Sequence, residues 1–413
     1  MVGKFLKWIR QHYLAIINSI AFYPAIIAFC FLLGAIGLFF FDHSDIGHSI
    51  KDLTPWLTLK DPGTARTILA TIAAGILSLS VFSFSMVMIL LNQAAVNMSN
   101  RILDMMIGNR FHQVILGFYI GTIVFAFFLL STIRDAITEV PIPSLSIYSL
   151  IILTITDIFL FIYFLHYITQ SVKYETIIAR ITDNTRKAFA EYYVNEREPT
   201  HDDTLFTGQT LYARKSGYYQ GFAEKRLLDY ATEHNCRISI MHPSGTYLVA
   251  GTAVAAIEAT GELDATHLQP IADAIDIFAQ KNNMPLHPYL GCTQLSEIAV
   301  KALSPGINDP GTAILSLNAL AELLSFCLHK EPVMHYKDSD ETVRITTREY
   351  EFKDYINGCI MPIWDYGKDD RMIQQAFKNV LIQLQNISRH EADVKMIQKL
   401  LNIVNSAIEE QKQ

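Results

Sequence analysis

The sequence predicts a mainly α-helical protein in which a four-helix transmembrane domain is followed by a C-terminal cytosolic α+β domain. The 413-residue chain is 51% hydrophobic and only 18% charged, whereas soluble proteins carry about 25% charged residues. The charge is unevenly distributed, because residues 1–170 contain 9 Lys and Arg and 8 Asp and Glu, while residues 171–413 contain 24 and 32. These observations exclude a single soluble domain, a disordered chain and a basic nucleic-acid-binding protein.

The transmembrane domain is predicted over residues 1–170, with helices at about 14–41, 67–92, 113–133 and 142–169. Crossing about 30 Å of hydrocarbon takes about 20 helical residues, so each stretch is long enough to span. If the N-terminus is inside, the cytoplasmic flanks of the four helices hold nine Lys and Arg residues and the outer loops hold four. Because positive charge favours the cytoplasmic side, we expect a multi-pass inner-membrane protein with both termini in the cytoplasm.

The second predicted helix carries small polar residues at a regular spacing. Thr71, Ser78, Ser85 and Asn92 recur every seven residues and so follow one slowly drifting helix face. Such residues let two helices approach closely and hydrogen-bond to one another. The same residue types also line water-filled pores. Both interpretations stay open, and in a homo-oligomer both can hold for one helix.

Asp157 is the only charged residue of the fourth predicted helix and lies near its middle. An ionised carboxylate at that depth costs a few kcal/mol or more unless it is paired or hydrated. One interpretation is a protonated packing residue that hydrogen-bonds to Thr154 or to serines of the second helix. The other is a proton or cation site that faces an aqueous cavity.

The remaining sequence predicts a helical connector over 171–207 and a cytosolic domain over 208–413, with a small α/β unit over 208–255 and a helical region over 265–413. Alternation of apolar and polar residues predicts strands in the α/β unit, and apolar spacing of three and four predicts helices. The predicted elements are strands at Gln209–Ala213, Arg237–Met241 and Thr246–Ala250, helices at Ala223–His234 and His267–Lys281, and a peripheral hairpin within residues 331–349. The strands on either side of the turn at His242–Gly245 are expected to form a hairpin, and two closing helices are expected to bury Phe377 and Ile397.

A loop at residues 302–312 contains a dense cluster of turn-forming residues. Pro305 and Gly306 must end one helix, and Asp309 with Pro310 is typical of the start of the next. One interpretation is that these residues only form the turn between the two helices. Alternatively, Ser304, Asn308 and Asp309 lie where exposed helix-start N–H groups can bind an anion or another polar ligand.

No residue set typical of catalysis is found in the sequence. The nucleophile elbow, the phosphate-binding loop and the zinc-protease motif are absent, and the five Cys and thirteen His lack metal-site spacing. We therefore expect no enzymatic activity, catalytic residue, metal or cofactor. The expected partners are the lipid bilayer, further copies of the chain, and a small ligand or ion, but not nucleic acid.

The chain resembles an uncharacterised bacterial family of predicted inner-membrane proteins of unknown function. The resemblance rests on residues 77–83, on Gly117 with Gly121, and above all on the Leu-Ser-Pro-Gly-Ile-Asn-Asp-Pro stretch ending at Pro310. The family usually has an acidic residue where this chain has His287, and Ile-Asp where it has Gly221 and Phe222. It implies a membrane location and a two-part layout, and it assigns no catalytic residue.

Two functions follow as hypotheses. The first is a homo-oligomeric ion channel or transporter, regulated by its cytosolic domain, with Thr71, Ser78, Ser85 and Asn92 lining the path and Asp157 setting cation preference. The second is a membrane-anchored sensor or scaffold whose cytosolic domain binds a ligand or protein partner near Ser304–Asp309.

Overall fold

The computed structural model describes residues 21–59, 61–97, 110–133, 142–171, 173–196, 208–259, 261, 264–279 and 287–411. The chain divides into two compact units, Met1–Lys173 and Tyr174–Gln413. Residues 14–20 of the first predicted helix and 197–207 of the predicted connector lie outside the described residues.

The first unit is helical throughout its described residues. Its elements are α1 (Phe22–Asp42), α2 (Asp45–Leu53), a 3₁₀ turn (Pro55–Leu57), α3 (Pro62–Asn97), α4 (Arg110–Thr132) and α5 (Ser144–Ser171). Helices α1, α3, α4 and α5 are each long and apolar enough to cross a membrane. Each of these helices overlaps one of the four predicted apolar stretches, and α3 extends from Pro62 to Asn97 where the prediction was about 67–92.

Two glycines set how closely α1 and α4 pack. A Cβ atom on Gly117 would lie 2.7 Å from the Ile27 side chain, and one on Gly121 would lie 2.6 Å from the Phe31 ring. Four residues separate the glycines, so both lie on one face of α4. Small residues at this spacing allow close approach of transmembrane helices. The opposite face of α4 is thereby turned toward α3 and α5, where Ala126 joins Leu69 and Leu150 in a buried apolar cluster.

The second unit combines two small sheets with a helical bundle. Its elements in chain order are α6 (Tyr174–Tyr192), β1 (Asn195–Glu196), β2 (Gln209–Tyr212), β3 (Gly217–Phe222), α7 (Glu224–Glu233), β4 (Arg237–Ile240), β5 (Tyr247–Leu248), β6 (Ala253–Glu258), α8 (Ala265–Ala274), β7 (Ile275–Phe278), α9 (Pro288–Ala302), α10 (Pro310–His329), β8 (Lys330–Glu331), β9 (His335–Lys337), β10 (Val343–Thr347), α11 (Phe352–Tyr355), a π-helical turn (Ile356–Ile360), α12 (Met361–Gly367), α13 (Arg371–Ile387) and α14 (Glu391–Glu410).

The larger sheet has the strand order β2-β6-β4-β10-β9, and β5-β3-β7 form a second sheet. Strand β10 runs parallel to β4, with Ile345 opposite Ile238, and the other pairs are antiparallel. The hydrophobic core of this part includes Leu227 from α7 and Ile271 from α8. The short pair β1-β8 stands apart from both sheets.

Three sequence-based expectations are wrong here. The strand over 246–250 does not form a hairpin with β4, because β5 pairs with β3 in the other sheet. The hairpin within 331–349 is not peripheral, because β10 lies between β4 and β9. The helix expected to reach Lys281 ends at Ala274, where β7 begins. In each case the pairing partner lies far along the chain, so local periodicity does not reveal it.

Helices α6, α9, α10 and α13 form the helical core of the second unit. Helix α6 lies within the segment predicted as a connector, yet it buries Ile177, Ile181 and Phe189. The two closing helices α13 and α14 are confirmed, with Phe377 and Ile397 buried as expected.

Among the described residues, helix α10 is a fifth helix long and apolar enough to cross a membrane, although half of its most apolar 18-residue stretch is buried in the structure. The predicted count of four transmembrane helices therefore stays a prediction.

Because α1 and α4 approach closely, the stability of the protein should depend on the absence of a methyl group at Gly121. We expect Gly121→Ala to lower the stability by about 1–3 kcal/mol, because the added Cβ meets the Phe31 ring. Gly37→Ala is the matched control, since its Cβ would have nothing within 4 Å. Thermal unfolding of both variants in detergent measures the difference, and equal melting temperatures would contradict the packing described.

Candidate functional site

We call Thr71, Ser78, Ser85 and Asn92 of α3 the polar ladder. This ladder faces away from the interior of the first unit. Thr71, Ser78, Ser85 and Asn92 are exposed, whereas the packed face of the helix buries Leu69 and other residues about half a turn away. The Thr71 hydroxyl donates to the Thr67 carbonyl oxygen at 2.7 Å. The Ser78 hydroxyl similarly donates to the Ala74 carbonyl oxygen at 3.0 Å. Within one protomer, therefore, this ladder is not brought together with Asp157.

Asp157 is fully buried on α5, with no exposed surface. Neither carboxyl oxygen has a hydrogen-bond partner among the described residues. The expected hydrogen bond between Thr154 and Asp157 is not formed, because the Thr154 hydroxyl donates instead to the Leu150 carbonyl oxygen at 2.8 Å. The hydroxyl group that faces the carboxyl is that of Thr122 on α4, without reaching hydrogen-bond geometry.

Three more buried polar side chains extend from Asp157 across α4 to α3. Thr122 and Tyr119 lie on one face of α4, and the Tyr119 hydroxyl faces that of Ser83 on α3. The hydroxyl oxygens of all three lack a hydrogen-bond partner among the described residues, and all three residues are buried. We call Ser83, Tyr119, Thr122 and Asp157 the polar cluster.

The polar cluster offers one carboxyl group and three hydroxyl groups in an otherwise apolar helix bundle. An ionised, unpaired carboxylate is unstable in such surroundings, so the group is stable as the neutral acid or with a bound cation. Carboxyl and hydroxyl oxygens suit a proton or a small cation as ligand. No group of three or more His, Cys, Asp or Glu residues arranged to hold a metal ion occurs in the described part of the chain.

Sequence reasoning missed Tyr119 and Thr122. The two residues are three positions apart and share a helix face. They are also among the few polar residues of α4, so this spacing is the signal that could have identified them.

A buried ion pair was missed as well. The Lys51 ammonium pairs with the Asp42 carboxylate and donates to the Asp42 carbonyl oxygen at 2.8 Å. The second carboxylate oxygen accepts from the Ser146 backbone N–H at 2.9 Å and from its hydroxyl at 3.1 Å. The pair thus connects the end of α1, helix α2 and the first turn of α5.

The candidate ligand residues of the second unit serve the local fold. Asp309 is confirmed as the N-cap of α10, since its two carboxylate oxygens accept from the Thr312 N–H at 3.1 Å and from its hydroxyl at 2.6 Å. The Ser304 hydroxyl donates to the Lys301 carbonyl oxygen at 2.6 Å. Asn308 is exposed and has a left-handed backbone with φ of 49°.

A separate cavity of about 350 Å³ lies elsewhere in the second unit. Its walls include the carboxylates of Glu191, Glu224 and Glu349 and the phenols of Tyr192 and Tyr336. Burial raises the pKa of Tyr336 to about 12, and the carboxylates of Glu349 and Glu224 add to that increase. We call this cavity the acidic cleft.

Comparison with known proteins places the chain in a family. A family model described as predicted membrane protein (DUF2254) matches residues 17–383. The chain belongs to this family. The resemblance to uncharacterised membrane proteins is thereby confirmed, and this DUF2254 protein is a multi-pass membrane protein with several apolar helices.

Curated relatives of this DUF2254 protein include uncharacterised proteins of Mycobacterium tuberculosis strain CDC 1551 / Oshkosh and of Mycobacterium bovis. Each is 25% identical over 282 residues, which cover 64% of this chain and 52% of the relative. The chain thus spans about half the length of the curated relatives it matches. No solved structure matches it significantly.

The Asp42–Lys51 pair predicts a large effect of removing one partner. We expect Lys51→Met to destabilise the protein by about 3–5 kcal/mol, because it leaves the buried Asp42 carboxylate without its cation. Asp45→Asn, at an exposed position close by, is the control. Thermal unfolding in detergent compares the two, and a Lys51→Met variant as stable as the parent would show that the pair contributes nothing.

Proposed function

We propose that this DUF2254 protein is a homo-oligomeric channel or transporter that moves protons or cations past Asp157. The observation that supports it is the fully buried Asp157 carboxyl, whose two oxygens have no partner among the described residues. A carboxyl that serves packing alone is normally hydrogen-bonded. A carboxyl that binds and releases a proton or cation needs free oxygen atoms.

The exposed ladder on α3 supports an oligomer. In one protomer, Thr71, Ser78, Ser85 and Asn92 lie on the face that α3 does not use for packing. Copies of α3 that pack around an axis would give these side chains a polar environment. We propose that they line a shared path, and that the Asp157 site controls which cation enters it.

The topology and the role of the second unit belong to the same proposal. We place α1, α3, α4 and α5 across the inner membrane with both termini in the cytoplasm. Helix α10 stays in the second unit, because Leu317, Leu320 and Leu324 are buried there. The second unit would then regulate transport from the cytoplasm, and the protein would have no enzymatic activity of its own.

Flux measurements test the proposal directly. We expect protein in liposomes to move protons or a monovalent cation, and Asp157→Asn to lower this flux by tenfold or more, because the amide cannot take up or release the proton. Thr156→Val is the control, since this neighbouring side chain is exposed and its hydroxyl donates to the Ile152 carbonyl oxygen in its own helix. Absence of flux in the parent, or unchanged flux in Asp157→Asn, would contradict it.

The acidic cleft supports a second candidate function. We propose that, as an alternative, the protein is a membrane-anchored sensor whose second unit binds a small cationic ligand. A cavity with three carboxylates in its wall favours a positively charged molecule. This location differs from Ser304–Asp309, where Ser304 and Asp309 already make local hydrogen bonds.

A thermal-shift series on the full-length protein tests this alternative. We expect spermidine, as a cationic probe, to raise the melting temperature of the parent, and Glu349→Gln to reduce that rise because it removes one carboxylate from the cleft. Glu322→Gln, at an exposed position outside the cleft, is the control. A rise that is equal in all three proteins would indicate nonspecific binding and contradict a site in the cleft.

A further inference from the structure

A groove of about 730 Å³ runs between α3 and α4 in the first unit. Its volume lies within the range of about 300–1,000 Å³ that is typical of small-molecule sites. Phe164 of α5 also contributes to its wall, but Asp157 does not. The groove therefore shares Ser83 and Tyr119 with the polar cluster but does not include its carboxyl group.

Four polar atoms that line the groove, on both α3 and α4, have no hydrogen-bond partner among the described residues. They are the Ser83 and Tyr119 hydroxyl oxygens, the side-chain oxygen of Gln113 and Nε2 of His112. Tyr119 has no exposed surface, and Ser83 and Gln113 are each 5% exposed. Buried polar groups normally have partners, because an unmade hydrogen bond costs about 1–3 kcal/mol. A bound molecule that hydrogen-bonds to these four atoms would remove this cost.

Apart from Asn92, which belongs to the polar ladder on α3, the rest of the described groove lining is apolar. Val87 and Leu116 contribute to its walls, as do Phe84, Met88 and Ile89. The last three are also more than half exposed on a helix that is apolar enough to span a membrane. An apolar groove bordered by such residues is accessible from the hydrocarbon interior of a bilayer.

The charges of the lining residues limit which head group a ligand of this groove can have. The described residues that line the groove include no Lys, Arg, Asp or Glu. Apart from the imidazole of His112, a phosphate or carboxylate head group would have no cationic group among these residues to compensate its desolvation. An uncharged head with hydroxyl groups can both donate to Gln113 and exchange hydrogen bonds with Tyr119 and Ser83.

We propose that this groove binds a neutral amphiphile, with a hydroxyl-bearing head at Ser83, Gln113 and Tyr119 and an acyl chain along the apolar wall. The proposal goes beyond transport at Asp157 and does not depend on it. Binding is measured in detergent, where no flux occurs, so the two proposals can fail separately.

The test measures binding of monoolein to the full-length protein by native mass spectrometry. Methyl oleate has the same acyl chain without a hydroxyl group, and oleoyl lysophosphatidic acid adds a charged phosphate. We expect monoolein to bind more tightly than either comparison lipid. We expect Tyr119→Phe to weaken monoolein binding by about fivefold, the equivalent of one net hydrogen bond.

A pair of tryptophan variants locates the site. Val87→Trp fills the groove and is expected to abolish monoolein binding, whereas Val81→Trp, exposed on the same helix and outside the groove, is expected to bind like the parent. Ser83→Ala removes a polar contact with little change of shape, and provides the same test if Val87→Trp does not fold.

Three results would overturn the proposal. The first is equal binding of monoolein and methyl oleate, and the second is unchanged binding in Tyr119→Phe and Ser83→Ala. The third is a Val87→Trp variant that changes the oligomeric state but still binds monoolein, which would make the groove a contact between copies of the chain.

Discussion

The need to satisfy polar atoms inside hydrocarbon constrains the first unit more than any other factor. Among its described residues, two carboxyl groups are fully buried, and they meet this need differently. Asp42 has an ammonium partner in Lys51 and two further donors from Ser146, so it is explained as part of the scaffold. Asp157 has no such partner among the described residues. Because a bare carboxylate is costly in these surroundings, we connect it with a proton or a cation.

The packing of helix α4 determines where the site at Asp157 lies. Gly117 and Gly121 bring one face of the helix close to α1. The other face presents Tyr119 and Thr122 toward α3 and α5, where they lie beside Ser83 and Asp157. The same face borders the groove between α3 and α4. One packing contact therefore positions both the proposed transport site and the proposed amphiphile site.

Much of the membrane part could be predicted, because the apolar length of a helix and an isolated charge such as Asp157 are local properties of the sequence. The direction in which each face of α3 points could not be predicted, since Ser83 and Ser85 are serines two positions apart on one helix and only the first is buried. The strand pairing of the larger sheet was even harder to predict. Strand β10 pairs with β4 across more than 100 residues, and no local pattern in either strand encodes that choice.

The most direct test of the central claim is the protonation state of Asp157 in a bilayer. Infrared difference spectroscopy on the protein in liposomes can follow the carboxyl stretching band that disappears in Asp157→Asn. We expect this band to change reversibly when the bulk pH or the concentration of a monovalent cation is varied, because the carboxyl group exchanges with solvent. A band that stays constant over the whole range in which the protein is folded would show a sealed structural acid, and would contradict the proposed role of Asp157 in transport.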